Sequence, residues 1–181
     1  MIDLFLKGGF LMYPIALCSV AGVAILVGKA LELRAVARQL DQAPEELLRD
    51  PPVILVPLIE ALRCAAEERE LVVLGTRLVR RLERGLGSLE LIAAIAPLLG
   101  LTGTVTGMIR AFMVIAESTT AVSPARLAGG IWEALITTAA GLLVAIPIHV
   151  GHHYLERQTD EVAFLLKELT TTIPPRRGHG A

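Results

Sequence analysis

The chain has 181 residues, of which 54% are hydrophobic, 19% are charged and 4% are aromatic. Its mean hydropathy of +0.62 is too high for an ordinary water-soluble domain or a disordered chain. The net charge of −1 provides no basic field, so nucleic acid is excluded as a partner. Composition alone therefore predicts an integral membrane protein.

Three apolar runs are long enough to cross a bilayer. About 20 helical residues, rising 1.5 Å each, cover the roughly 30 Å of hydrocarbon. The predicted spans are residues 10–28, 91–116 and 127–150, and the first is expected to be an uncleaved anchor. The expected fold class is an all-α membrane protein with three transmembrane helices.

Lys and Arg are concentrated in two polar segments. Residues 29–90 hold ten of them and the tail at 151–181 holds four, whereas only three lie elsewhere. Because Lys and Arg favour the cytoplasmic side, both of these segments are predicted to be cytoplasmic. The N-terminus at 1–9 and the loop at 117–126 are then predicted to lie outside, on the opposite side of the membrane, which would be the periplasmic side in a bacterial inner membrane.

The cytoplasmic segments are predicted to form long helical extensions of the spans. Asp50 and Pro51 fit the N-cap and the first position of a helix. Leucines then recur in three- and four-residue steps, and the apolar stripe that they form is predicted to run into the second span. This stripe consists of Leu71, Leu74, Leu78, Leu82, Leu86 and Leu89. The third span is predicted to continue as a helix beyond Pro147 until Pro174 and Pro175.

Three arginines, Arg80, Arg81 and Arg84, lie shortly before the second span. They fit a solvated helix face, which is the commoner arrangement for a run of charges. They also fit a site for a partner or for lipid headgroups, and the sequence leaves both interpretations open.

Small residues in the second and third spans predict close helix packing. Gly103 and Gly107 form a GxxxG motif, which lets a neighbouring backbone approach. In the third span Gly129 and Gly141 belong to a ladder of four-residue steps. Apart from Glu133, that face consists of small or hydroxyl-bearing residues.

The second span also carries Thr102, Thr104 and Thr106. A helix turns about 100° per residue, so three residues at a spacing of two cannot share one face. At most some of them line a common path. A hydroxyl bonded to a carbonyl of its own helix is about as common in membrane helices as a role in a pore.

Glu133 is the acidic residue of the third span. An ionised carboxylate facing lipid costs about 2.5 kcal/mol or more, so Glu133 is expected to face protein or water. It is either a functional carboxylate or a structural one paired with Arg110 or Arg126. Arg110 itself is expected to reach the outer headgroups.

The sequence shows no pattern typical of an enzyme or a metal site. His149 and His153 are four residues apart beside His152, but no nearby carboxylate or cysteine completes a ligand set. P-loop, nucleophile-elbow and HExxH motifs do not occur. We therefore expect no metal, no cofactor and no enzymatic activity.

Two motifs together resemble a known family. The stretches APLLGLTGTVTGMIRAF, at residues 96–112, and GGIWEALITTAAGLLVAIP, at 129–147, resemble the MotA/TolQ/ExbB proton-channel family, most closely its ExbB branch. The resemblance implies a homo-pentamer in the bacterial inner membrane, with the second and third spans around a central pore and the first span outside. It also implies a dimer of ExbD/TolR-like single-span subunits in the pore, each with a membrane aspartate, and a TonB-like periplasmic energy transducer.

The resemblance also implies roles for individual residues. Thr104 and Thr138 would flank the partner's aspartate, and Glu133 would tune proton access or hold neighbouring helices. Thr137 and Thr102 are secondary candidates for the proton path. The implied function is to energise TonB-dependent outer-membrane transport with the proton-motive force. A TolQ-like envelope-maintenance role, a gliding motor and a non-conducting membrane scaffold remain as alternatives.

Overall fold

The computed structural model describes residues 8–40, 55–64, 68–117 and 124–172. Side chains are described throughout these ranges except at 39–40, 62–63, 68, 124–127 and 168–172. The described residues form five α-helices and no strand, which confirms the all-α prediction. The helices are α1 (Met12–Leu40), α2 (Val56–Arg63), α3 (Glu68–Glu83), α4 (Leu86–Glu117) and α5 (Pro124–Thr172).

The described residues divide into two compact units. The first draws its residues from 1–26 and 88–152, and the second from 27–87 and 153–181. The first unit therefore contains most of α4, the start of α1 and the first part of α5. The second contains α2, α3 and the remaining parts of α1 and α5.

Three stretches of helix are long and apolar enough to cross a membrane. They lie within Met12–Arg38, Arg69–Glu117 and Ala128–Lys167. In α1, Leu17 and Val20 are more than 70% exposed. A helix that is apolar on all sides and yet unburied would be unfavourable in water, whereas hydrocarbon solvates it. The exposed apolar side chains thus agree with the membrane location that composition predicts.

Helix α5 is continuous for 49 residues and contains Pro147. The predicted continuation of the third span as a helix is therefore present in the structure. Pro97 lies inside α4 in the same way. Membrane helices tolerate such prolines because neighbouring groups satisfy the freed backbone.

Five of the six leucines of the stripe before the second span are buried, and Leu74 is partly exposed. Leu71, Leu82 and Leu89 are each at most 3% exposed. Helix α3 ends at Glu83 and α4 begins at Leu86, so the predicted stripe reaches the helix of the second span across a two-residue break. Gly85 lies between them with a φ of 94°, a left-handed conformation that commonly ends a helix.

Some sequence predictions fall outside the described residues. These are the helix start at Asp50 and Pro51, the side chain of Arg126 and the end of the tail from Pro174.

Candidate functional site

Helices α4 and α5 form an antiparallel hairpin along a seam of small residues. A Cβ atom built on Gly103 would meet Thr137, and one built on Gly107 would lie 2.7 Å from the Cβ of Ala134. Gly100 faces Thr138 in the same way. The neighbours on α5 move backwards along the chain as α4 advances, so the two helices are antiparallel.

The tightest approach of backbone to backbone in this seam is at Gly141. A Cβ atom there would lie 2.6 Å from the carbonyl oxygen of Ala96 and 3.2 Å from the Cα of Gly100. Both are backbone atoms, which cannot rotate away as a side chain can. Gly129, by contrast, has nothing within 4 Å of its Cβ position among the described residues, so its part in helix packing stays a prediction.

The three threonines of α4 all donate their hydroxyls to their own helix. Thr102 bonds the Leu98 carbonyl at 2.8 Å, Thr104 the Leu101 carbonyl at 2.7 Å, and Thr106 the Thr102 carbonyl at 2.9 Å. Such bonds satisfy a hydroxyl inside a membrane helix without a partner.

Thr138 of α5 is different because its hydroxyl crosses the seam. It donates to the Gly100 carbonyl at 2.9 Å, and its residue is partly buried. The glycine permits this bond, since a Cβ atom on Gly100 would lie only 3.0 Å from the Cα of Thr138. Thr138 thus ties the two helices together at their closest region.

One side of the seam contains a polar cavity of about 230 Å³. Its polar side chains are Thr102, Thr106, Arg110, Glu133 and Thr137. The Nη1 atom of Arg110 lies 3.2 Å from Oε1 of Glu133, with the two side chains 65% and 34% exposed. This cavity therefore contains an ion pair that joins α4 to α5.

The residues before α1 close against this cavity. The Thr137 hydroxyl is within 2.9 Å of the Gly8 carbonyl and 2.8 Å of the Glu133 carbonyl, so its single hydrogen is shared between them. Gly9 adopts a φ of 71°, and a Cβ atom there would meet the carboxylate of Glu133. Glycine fits at this position for both reasons.

The ion pair bears on two expectations for these residues. Arg110 pairs with Glu133 while its side chain stays 65% exposed, so its reach to the outer headgroups remains a prediction. An opposite charge within reach satisfies a partly desolvated carboxylate better than lipid does. Of the pairings left open for Glu133, the structure contains the one with Arg110.

Thr104 and Thr138 lie on the other side of the seam. Thr104 lines a shallow surface groove together with Val105 and Met108, and neither threonine lines the polar cavity. On an ideal helix Thr138 points about 140° away from Glu133. Thr104 follows Gly103 in the seam, and Thr138 follows Thr137, so each is rotated in the same sense from its neighbour on its own helix. In two antiparallel helices, rotations of the same sense lead to the same side of the seam. The structure thus brings Thr102, Thr137 and Glu133 together but separates Thr104 and Thr138 from them.

The histidines after Pro147 do not form a metal site in the part of the chain that the structure describes. The Nδ1 atom of His153 is 3.4 Å from Oε2 of Glu156, one turn along α5. No group of three His, Cys, Asp or Glu side chains able to hold a metal ion occurs among the described residues.

Two features of the site were not identified from the sequence. Gly100 extends the small-residue ladder of Ala96, Gly103 and Gly107, so the periodicity contained the signal. The contact of Gly8 with Thr137 spans 129 residues, and no local pattern predicts it.

The fold and the site define an α-helical, multi-pass membrane protein in which two spans pack through glycines and carry hydroxyls beside the seam. Comparison with known proteins identifies the class more closely. The model of the MotA/TolQ/ExbB proton channel family matches residues 59–168. The chain belongs to this family, as the two motifs indicated.

Several relatives carry the ExbB name. The biopolymer transport protein ExbB-like 1 of Synechocystis is 35% identical over 174 residues, covering 81% of this chain and 66% of the relative. The biopolymer transport protein exbB1 of Vibrio cholerae is 47% identical over 76 residues, covering 42% and 33%. The ExbB protein of Salmonella typhimurium is 43% identical over 106 residues, covering 59% and 41%. The matched part of the chain thus spans at most about two thirds of the length of these relatives.

Proposed function

We propose that the chain is an ExbB-like channel and stator subunit of a bacterial inner-membrane motor, which uses the proton-motive force to energise TonB-dependent outer-membrane transport. The observation that carries the proposal is that the side of the seam with Thr104 and Thr138 offers hydroxyl groups but no acidic group. Residues 91–116 and 134–150 of the same two helices contain no carboxylate. Such a surface suits a proton path in which a second protein supplies the carboxyl group that binds and releases the proton.

The proposed assembly is a ring of five copies with its N-termini in the periplasm. Its pore holds a dimer of ExbD/TolR-like single-span subunits, each with a membrane aspartate that takes up and releases protons. A TonB-like protein transmits the resulting motion through the periplasm. Relatives called biopolymer transport proteins support this setting. One elementary charge crossing 100 mV provides about 2.3 kcal/mol, so a few protons are enough to drive a mechanical step.

Glu133 has a different role in this proposal. Its pairing with Arg110 holds the outer ends of α4 and α5 together and shapes proton access from the periplasmic side. Thr137 and Thr102 line the same cavity and are secondary members of that path.

The test is proton uptake by the purified complex in liposomes that enclose a pH-sensitive dye, under a potassium diffusion potential. We expect Thr104→Val and Thr138→Val each to slow uptake by about tenfold, equivalent to one hydrogen bond of roughly 1.4 kcal/mol. Thr104→Ser and Thr138→Ser keep the hydroxyl and should retain most of the rate. Thr76→Val is the matched control for Thr104→Val, because it removes an equivalent bond to its own helix, at 2.8 Å, outside the predicted spans.

The glycine seam also suits a non-conducting scaffold, which the same experiment separates from a channel subunit. For a scaffold, the valine variants and Glu133→Gln leave proton uptake by the complex unchanged, whereas a bulky residue at Gly103 or Gly107 abolishes assembly. Native mass spectrometry of the complex tests the ring, since five copies with two single-span chains are expected. The identity of the co-purified partner distinguishes TonB-dependent transport from a TolQ-like or gliding role.

A further inference from the structure

The end of α3 carries a basic surface that the proposed function does not use. Arg77, Arg80, Arg81 and Arg84 lie within eight residues, and all four are exposed. Their spacing of i, i+3, i+4 and i+7 places the first three on one helix face, and Arg84 extends that spacing into the turn before α4. We call these four residues the arginine face.

The arginine face points away from the packed side of α3. Leu78 and Leu82, which are buried, lie about 110° and about 150° around the helix from the centre of the arginine face. Helix α5 approaches on a further side, where Gly75 and Val79 line a cavity together with Leu166. The described residues of the second unit therefore leave the arginine face uncovered.

The charges of the arginine face are not neutralised within the part of the chain that the structure describes. None of the four guanidinium groups forms an ion pair with a described carboxylate, including Glu83, which follows Arg80 by three residues. Arginines spaced three and four apart on a helix repel one another. A bound external anion would offset this repulsion between the arginines.

The arginine face also lies close in sequence to the membrane. Arg84 precedes α4 by two residues, and the apolar run of the second span begins at Leu91. The intervening turn and helix place Arg84 no more than about 15 Å from Leu91. An arginine side chain bridges part of that distance, and the headgroup layer adds several ångströms on the membrane side.

We propose that the arginine face binds the headgroups of anionic phospholipids at the membrane surface where the second span begins. Clusters of four or more arginines next to a membrane helix attract anionic lipid, and guanidinium groups match phosphate through paired hydrogen bonds. This inference depends on membrane residence alone and not on proton conduction. It predicts a gradient, in which Arg84 and Arg81 contribute most and Arg77 least.

The test uses the full chain with its co-purified subunits, reconstituted in phosphatidylcholine containing about a third phosphatidylglycerol and then extracted with mild detergent. Native mass spectrometry gives the ratio of the two lipids that stay bound. We expect the lipids bound to the wild type to be enriched in phosphatidylglycerol. In the triple variant R80Q/R81Q/R84Q this enrichment should fall by a factor of at least about ten, because one arginine near the membrane surface accounts for a factor of roughly five. The enrichment of the wild type should fall with added salt.

Two control variants keep the result interpretable. Arg69→Gln removes an exposed arginine from the start of the same helix and should leave the lipid ratio unchanged. R80K/R81K/R84K keeps the charges and should retain most of the enrichment, even where the glutamine variant folds poorly. Equal lipid ratios for the wild type and the glutamine variant would overturn the proposal, as would equal losses for R69Q and R84Q. Either result would assign the arginine face to solvent or to an acidic protein.

Discussion

The contact at Gly141 leads to a quantitative prediction about the α4–α5 seam. A Cβ atom at this position would be 2.6 Å from the Ala96 carbonyl oxygen, whereas ordinary contact begins at 3.4 Å. Gly141→Ala therefore requires the two backbones to separate locally by about 0.8 Å. Overpacking of this kind costs about 1–3 kcal/mol. Separation also lengthens the nearby hydrogen bond from Thr138 to Gly100, which measures 2.9 Å.

The matched control is Gly129→Ala in the same helix. No atom lies within 4 Å of that Cβ position among the described residues. Both variants gain the same preference of alanine for helix, about 1 kcal/mol, so the difference between them isolates the packing cost. We expect Gly141→Ala to have a free energy of unfolding about 1–3 kcal/mol below that of Gly129→Ala, measured by titration with sodium dodecyl sulfate in mixed micelles. Equal values would refute the close approach of the helices. Loss of assembly in Gly129→Ala, with an unchanged single chain, would place Gly129 at a contact between subunits.

Two further predictions concern the polar cavity. In a double-mutant cycle, Arg110→Gln and Glu133→Gln should show a coupling of about 0.5 kcal/mol in the free energy of unfolding. The coupling should not exceed about 1 kcal/mol, because both side chains are partly exposed. Additive losses would mean that the ion pair does not form. Gly9→Ala should lower the free energy of unfolding by at least about 1 kcal/mol, because its φ of 71° disfavours an L-residue and the new methyl group meets Glu133. Gly28→Ala, with no described atom within 4 Å of its Cβ position, serves as the control for the same titration, and equal stabilities would show that the segment before α1 does not close on the cavity.

Much of the architecture could be predicted from periodicity and composition. Apolar runs of the right length mark the three membrane helices, and the spacing of Gly103 and Gly107 indicates the face that packs. The 100° step of a helix also separates Thr104 from Thr102 and Thr106, as the structure shows. These features are local, so each is contained in a short stretch of sequence.

The features that could not be predicted depend on contacts between distant residues or on competition between local signals. The leucine stripe runs into the second span as its periodicity predicts, but that periodicity does not show the break at Gly85, whose left-handed conformation ends α3. The sequence offered Arg110 as one of two partners for Glu133, but whether these residues, 23 apart on two helices, meet depends on how the helices rotate about the seam. Side-chain periodicity gives the face of each residue but not which partner stands opposite.

The hydrogen bonds of Thr104 and Thr138 determine which form of a partner's acid they can contact. Each hydroxyl has one hydrogen, and the structure commits it to the Leu101 and Gly100 carbonyls respectively. The hydroxyl oxygens then retain only acceptor capacity. A protonated carboxylic acid can donate to such an oxygen, whereas a carboxylate can only repel it. In the proposed channel Thr104 and Thr138 therefore stabilise the neutral acid of the partner. Release of the proton is easiest when one of these hydroxyls turns away from its backbone carbonyl, because it can then donate to the carboxylate. This is why the valine variants should slow proton uptake while the serine variants, which keep the acceptor, should not.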